Sequence, residues 1–265
     1  MTSKIISWNV NGLRAVAKKG FADWLANTPA DIIGLQETRA THEQLPAKIL
    51  TPEGWHTHLH PAERPGYSGV GLYSRLPFDR IETGIDSPEH DVEGRIQRVQ
   101  IGDLLIVNGY FPNGQGKDRD NSRVPFKLDF YHQLRDMLQP RIDAGEKVLV
   151  MGDFNTAHQE IDIARPKSNE NTSGFLPIER DALTQWIDAG WTDTFRAFHQ
   201  GPDRYSWWSY RGGARARNVG WRIDYILASP AAMEHVVHAD IHDDVHGSDH
   251  CPISVTVNKT IYDAS

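Results

Sequence analysis

Short apolar runs that break off on polar residues recur along this chain, and they restrict its fold more than any other feature. Ile5-Ile6-Ser7-Trp8 leads to Asn9 and Asn11, and Ile32-Ile33-Gly34-Leu35 leads to Gln36 and Glu37. Residues 104–107 precede Asn108 and Tyr110, and residues 148–151 precede Gly152-Asp153-Phe154-Asn155. Such runs are too short for helices and rich in Ile, Val and Leu, as buried strands are. Helical spacing appears between them at residues 20–27, 126–138 and 178–189. Residues 70–73 and 95–101 read as strands joined by short turns, so the sheets are expected to be mixed and the class α/β.

No linker-like composition and no internal repeat interrupts the 265 residues. One domain over residues 1–258 is expected, with 259–265 a short C-terminal tail that carries no functional signal. No stretch approaches the ~18 apolar residues of a membrane span, and the first ten residues lack a secretory apolar core. The one cysteine, Cys251, stands directly before a strand, so burial is expected and an internal disulfide is excluded. A soluble, monomeric, intracellular protein follows, cytoplasmic, and nucleoid-associated if the source is bacterial. The 28 basic and 35 acidic residues leave a net charge of −7, which argues against a grip on nucleic acid through bulk positive charge. Arg211, Arg215, Arg217 and Arg222 nevertheless gather locally. The expected long loops, 113–124, 157–174 and 201–220, are polar and glycine-bearing, the kind of segment that carries binding residues on a rigid scaffold.

Ligands of open α/β sheets sit beyond the carboxyl ends of strands, where several segments converge. Here those ends carry Asn9, Glu37, Tyr110, Asp153 and Asn155. The run 221–227 embeds Asp224 in an otherwise apolar strand, where a charge needs a partner or an ion. Gly247-Ser248-Asp249-His250 then precedes a last strand. Clustered carboxylates repel unless a cation neutralises them, and oxygen donors with one imidazole favour Mg²⁺, or Mn²⁺, over Zn²⁺. Such a centre can hydrolyse a phosphodiester. Glu37 would hold the metal and Asp153 would orient or deprotonate the attacking water. His250, held by Asp224, would oppose the charge that grows on the phosphate, with Asn and Tyr donors completing the cage. No P-loop and no dinucleotide fingerprint is present.

Six blocks spread over residues 6–252 carry a family resemblance. They are ISWNVNGLRA from Ile6, LQET from Leu35, NGYFPN from Asn108, GDFN from Gly152, WRIDY from Trp221 and GSDHCP from Gly247. In this order they resemble the signature of the exonuclease III type apurinic/apyrimidinic endonucleases, in the endonuclease/exonuclease/phosphatase superfamily. The resemblance implies a four-layer α/β sandwich, with two mixed sheets face to face and helices outside. It implies Mg²⁺-dependent hydrolysis of the phosphodiester 5′ to an abasic site in double-stranded DNA, leaving a 3′-hydroxyl, with 3′-phosphodiesterase and 3′–5′ exonuclease activity secondary. It makes Glu37 the principal metal ligand, with Asn11, Asp249, Asp153 and Asn155 near the ion. The family often has Asp where this chain has Asn11. Asp153 handles the water, Asp224 pairs with His250, and Asn9, Tyr110 and Asn155 contact the scissile phosphate.

The same resemblance makes Trp207, Trp221 and Ile223 the walls of a small apolar pocket for a baseless sugar, which a missing base makes cheaper to extrude. The loop segments 166–169, with Asn169, and 173–175 bound that pocket and contact DNA. Arg211, Arg215 and Arg217 grip the backbone, as do Lys117 and Arg119. Two rivals remain: another phosphodiesterase, exonuclease or phosphatase of the superfamily, and a DNA-binding relative without chemistry. The presence of Glu37, Asp153, Asp224, Asp249 and His250 together disfavours the second.

Overall fold

The computed structural model describes residues 1–118 and 120–264. Among them, twelve strands form two mixed six-stranded sheets. In chain order these are β1 (Thr2–Asn9), β2 (Ile32–Gln36), β3 (His56–His60), β4 (Val70–Ser74), β5 (Arg80–Thr83), β6 (Ile96–Ile101), β7 (Leu104–Tyr110), β8 (Lys147–Asp153), β9 (Thr192–Asp193), β10 (Asp224–Ala228), β11 (Val236–Ile241) and β12 (Ile253–Asn258). The first sheet runs β11-β12-β1-β2-β4-β3 and the second β5-β6-β7-β8-β10-β9. Each has one parallel pair at its centre, β1 with β2 and β7 with β8, and antiparallel neighbours elsewhere.

Alternation along each strand sorts its side chains into layers. Ile5, Ile32, Leu72, Ile106, Leu149, Met151, Ile226 and Val255 share the core between the sheets. Their neighbours Ile6, Trp8, Ile33 and Leu35 face outward to meet Leu13, Phe21 and Leu25 of helices Leu13–Ala17 and Phe21–Asn27. On the opposite outer face Leu105, Val107, Val148 and Val150 pack on Phe130, Leu134 and Leu138 of helix Val124–Asp143 and on Leu183 and Trp186 of helix Pro177–Asp188. Both faces of each central strand are covered, which is why these strands read as unbroken apolar runs. The architecture is the expected four-layer sandwich. Burial of apolar surface at roughly 25 cal/mol per Å² holds the layers together.

Near the site the sheets are joined by polar contacts. Asn108, read from the sequence as a strand-end polar group, is fully buried between them. Its amide donates to the carbonyls of Leu35 and Gly71 on the other sheet, and its Oδ1 accepts from Gln36. Gly34 permits this approach, since a Cβ there would lie 2.4 Å from Met151 and 2.8 Å from Asn108 Oδ1. The last segment, Lys259–Tyr262, is a 3-10 turn whose Ile261 is buried in the inter-sheet core. No described helix is long and apolar enough to cross a membrane.

Candidate active site

The cleft lies where the carboxyl ends of the two parallel pairs meet the amino ends of their antiparallel neighbours. The sequence pattern places Asp224 inside a strand. In the structure β10 begins at Asp224, directly opposite Asp153, the last residue of β8. The preceding residues 221–223 leave the sheet to pair with other segments, Trp221 bridging to Ile163 and Trp207. His250 likewise stands just before β12, the antiparallel partner of β1. Antiparallel strands thus bring Asp224 and His250 to the end of the sandwich that Asn9 and Asp153 reach from the parallel strands.

Four of these side chains form a buried chain of contacts. His250 Nδ1 lies 2.9 Å from Asp224 Oδ2, and that oxygen also accepts from Ser206 Oγ at 2.6 Å. Asn9 Nδ2 donates to Asp153 Oδ2 at 2.9 Å, and the backbone N–H of Asn155 donates to Asp153 Oδ1 at 2.8 Å. Burial opposes charge on the imidazole, but the carboxylates of Asp224 and Asp153 outweigh it and hold His250 up at about 10. It is therefore an imidazolium at neutral pH. Burial pushes the Asp153 carboxyl up to about 7 against the pull of His250. His250 Nε2 is 3.8 Å from Asp153 Oδ2, beyond hydrogen-bond reach, so its N–H is left for a ligand.

A second cluster lies on the rim. Glu37 Oε1 accepts from Tyr110 OH at 2.6 Å and from Arg39 Nη2 at 2.7 Å, while none of the described residues donates to Oε2. Asn11 Nδ2 donates to Asp249 Oδ1 at 2.8 Å, which leaves the Asn11 carbonyl oxygen outside that bond. Asp249 Oδ2 accepts from the indole N–H of Trp207 at 3.1 Å. Although burial opposes the charge, His250, Asn11 and Trp207 hold the Asp249 carboxyl below the usual range. Glu37, Asn11 and Asn155 have φ of 53°, 45° and 51°. Asn tolerates the left-handed region, but for Glu it costs about 1 kcal/mol or more, a strain retained where a carboxylate must point one way.

A cation could be held in two places. The ligand atoms of Asp153, Asp224 and His250 all lie within 4.8 Å of one another, making these residues an acidic group that can take an ion. In that group His250 Nδ1 and Asp224 Oδ2 are already bonded to each other, and Asp153 Oδ2 accepts from Asn9. The rim fits better, with a carboxylate oxygen free on Glu37 and an amide oxygen on Asn11. The carboxylates of Glu37, Asp153 and Asp249, expected around one metal, do not form such a tight group among the described residues. This suits a small hard ion that takes one or two carboxylates and keeps several waters.

Most of the expected residues line one cleft of about 300 Å³: Asn9, Asn11, Glu37, Tyr110, Asp153, Asn155, Trp207, Trp221, Ile223, Asp249 and His250. Trp207 and Trp221 meet edge to face, with ring centres 6.0 Å apart, over a cluster of Ala157, Ile163, Phe175 and Ile223. Thr172, Ser173 and Gly174 make a smaller wall of the same cleft, with Gly174 close against the Trp221 ring. Asn169 does not line this cleft, because its side-chain amide donates to the Arg165 carbonyl within its own turn. Arg215 is not free to grip phosphate: its guanidinium donates to the carbonyls of Ser248, Asp243 and Val245 and covers the Trp208 ring. Arg211, Arg217 and Lys117 are exposed, and Arg119 lies outside the described residues. Arg39, on Glu37, and Ser206, on Asp224, join the site beyond the expected residues. No sequence signal marks Arg39, and nothing in the aromatic stretch 205–210 sets Ser206 apart from Ser209.

The model of the endonuclease/exonuclease/phosphatase family matches residues 6–250. The chain is 42% identical over 259 residues to an exodeoxyribonuclease of Bacillus subtilis (strain 168), covering 96% of this chain and 99% of that one. It is 40% identical over 258 residues to the DNA repair nuclease APEX1 of Danio rerio, covering 95% and 81%. An AP endonuclease structure from Archaeoglobus fulgidus superposes with a TM-score of 0.87 at 28% identity, covering 97% and 99%. Fold, site and relatives agree, and the chain belongs to the endonuclease/exonuclease/phosphatase family, as one of its exonuclease III type apurinic/apyrimidinic endonucleases.

Proposed function

We propose that this chain is a base-excision-repair nuclease that uses Mg²⁺, or Mn²⁺ in its place, to hydrolyse the phosphodiester 5′ to an abasic site in duplex DNA. The observation that carries this reading is the buried set Asn9, Asp153, Asp224 and His250 opening onto a cleft of about 300 Å³ walled by Trp207 and Trp221. The apolar Trp207, Trp221 and Ile223 side of this cleft suits a baseless deoxyribose, whose missing base also lowers the cost of extrusion. The His250 imidazolium faces a phosphate oxygen and Asn9 offers its second amide N–H; the Tyr110 hydroxyl joins them by exchanging its bond to Glu37 Oε1, while Asn155 stands beside the phosphate with its amide on Asp153. Asp153 takes a proton from the attacking water as its oxygen bonds to phosphorus. The P–O3′ bond breaks on the opposite side, and the departing oxygen takes up a proton from solvent, leaving a 3′-hydroxyl and a 5′-phosphate. A divalent ion held by Glu37 and Asn11 would neutralise phosphate charge and stabilise the departing 3′-oxygen. The unit acting here is a monomer, in the cytoplasm or on the nucleoid, and it extends past the expected boundary at residue 258, because Ile261 is buried between the sheets and Lys147 donates to the Asp263 carbonyl. Arg211, Arg217 and Lys117 supply the exposed backbone contacts.

The deciding measurement offers the protein and Mg²⁺ two duplexes, one with a single tetrahydrofuran residue and one intact. Selective incision 5′ to the lesion is expected, and equal cutting of both refutes the abasic assignment. Removal of 3′-terminal groups at the same centre is the second reading, favoured by the exodeoxyribonuclease name of the Bacillus relative. The small Ser173–Gly174 wall supports endonuclease as the main activity, so a recessed 3′ end is expected to be processed more slowly than the abasic duplex.

A further inference from the structure

Behind the small wall of the cleft lies a pair of opposite charges that the proposed chemistry does not use. Lys127, on helix Val124–Asp143, and Glu179, in the first turn of helix Pro177–Asp188, are both fully shielded from solvent, with Nζ 2.7 Å from Oε1. An ion pair withdrawn from water seldom adds net stability unless further hydrogen bonds occupy its remaining donors and lone pairs. Here those bonds converge on the cleft. Lys127 Nζ donates to the carbonyl of Asn155 at 2.7 Å. Glu179 Oε1 accepts from Ser173 Oγ at 2.8 Å, and Oε2 accepts from the backbone N–H groups of Gly174 at 2.5 Å and Leu176 at 3.2 Å. Asn155, Ser173 and Gly174 all line the cleft, and the Gly174 carbonyl accepts from Ala157 N–H at 2.8 Å.

These backbones need holding. Asn155 and Gly174 have φ of 51° and 94°, and a Cβ on Gly174 would come within 3.1 Å of both the Trp221 ring and the Asn155 carbonyl. We propose that Lys127 and Glu179 are positioning residues for the reaction. Their ion pair clamps Asn155 and Ser173–Gly174, so that the small wall stays packed against Trp221 and the Asn155 amide stays at Asp153. The inference rests on the reading of this cleft as the abasic-site pocket. A pair that merely joined two helices would affect stability alone.

Lys127→Met removes the ammonium with little change in volume, and Lys127→Arg restores charge and donors. For folded Lys127→Met, kcat on the tetrahydrofuran duplex is expected to fall about 10-fold or more, the scale of a sub-ångström to ångström misplacement, with a smaller change in KM. Amides of residues 172–176 are expected to exchange with deuterium at least about 10-fold faster, as the loss of a clamp requires. Lys127→Arg should recover both in part. A folded Lys127→Met with wild-type kcat and wild-type exchange overturns the proposal. If that variant does not fold, Glu179→Gln, which keeps the shape and one acceptor oxygen, is judged by the same two outcomes. Failure of the wild type to prefer the abasic duplex would refute the proposed function instead, and the exchange measurement would still decide the clamp.

Discussion

Asp162 tests whether the wall that carries Trp221 is held electrostatically. Its side chain is completely buried, and Oδ1 accepts from Arg222 Nε at 2.8 Å and from Arg196 Nη2 at 2.5 Å, while Oδ2 accepts from the Gln159 N–H at 3.0 Å. The Asp162 carbonyl accepts from the backbone N–H of Arg222 at 2.7 Å, between Trp221 and Ile223 on the cleft. Burial alone would raise its pKa, but Arg222 and then Arg196 outweigh burial and hold the carboxyl at about 2 against an ordinary 3.8. A difference of that size is worth about 2.5 kcal/mol in favour of the folded carboxylate at neutral pH. Removing one partner of a buried pair costs about 3–5 kcal/mol by mutational comparison. Asp162→Asn keeps the shape and one acceptor, so a loss of about 3 kcal/mol at pH 7 is expected. Because the folded pKa is depressed, this stabilisation is complete above the unfolded value near 4 and disappears as pH falls towards 2. Urea unfolding followed by tryptophan fluorescence should show a constant gap between wild type and variant from pH 8 to 5, narrowing below pH 4. A gap under about 0.5 kcal/mol at pH 7, or one that widens in acid, would refute the reasoning.

The other expectations are simpler. His250→Gln removes the buried cation proposed to face the phosphate, so single-turnover incision should slow by about 10² to 10³; an unchanged rate contradicts the role. Incision should cease in EDTA and return with Mg²⁺, read on the tetrahydrofuran duplex, and cutting that persists in EDTA excludes the metal at Glu37. Gly34→Ala drives a Cβ to 2.4 Å from Met151 and 2.8 Å from Asn108 Oδ1. The overpacking should cost about 1–3 kcal/mol in urea unfolding, and a variant as stable as wild type would show that the sheets can part.

The strands and the chemical residues were legible in the sequence for the same reason: each stands against its surroundings. An Ile- and Val-rich run closed by Asn9, Glu37 or Asp153 contrasts a buried strand with a polar end, and that contrast survives without coordinates. What depends on a partner did not survive. Ile5 and Ile6 look alike in sequence, yet one faces the other sheet and the other faces a helix, because both sides of β1 are covered. Arg215 looked like a phosphate grip since a guanidinium bound to three carbonyls has the same letter as one reaching into solvent. Lys127, Glu179 and Asp162 carried no signal at all, being charges in helical or loop segments where charges are ordinary. Their burial follows only from the meeting of segments far apart in the chain, such as Asp162 with Arg222. The groups proposed to react with substrate sit at strand ends that local pattern can locate. The groups that hold them sit one layer behind, where Ser206, Arg222, Glu179 and Lys127 acquire their function from neighbours rather than from sequence context. A variant that spares every strand-end residue can therefore still disable the site through this buried layer.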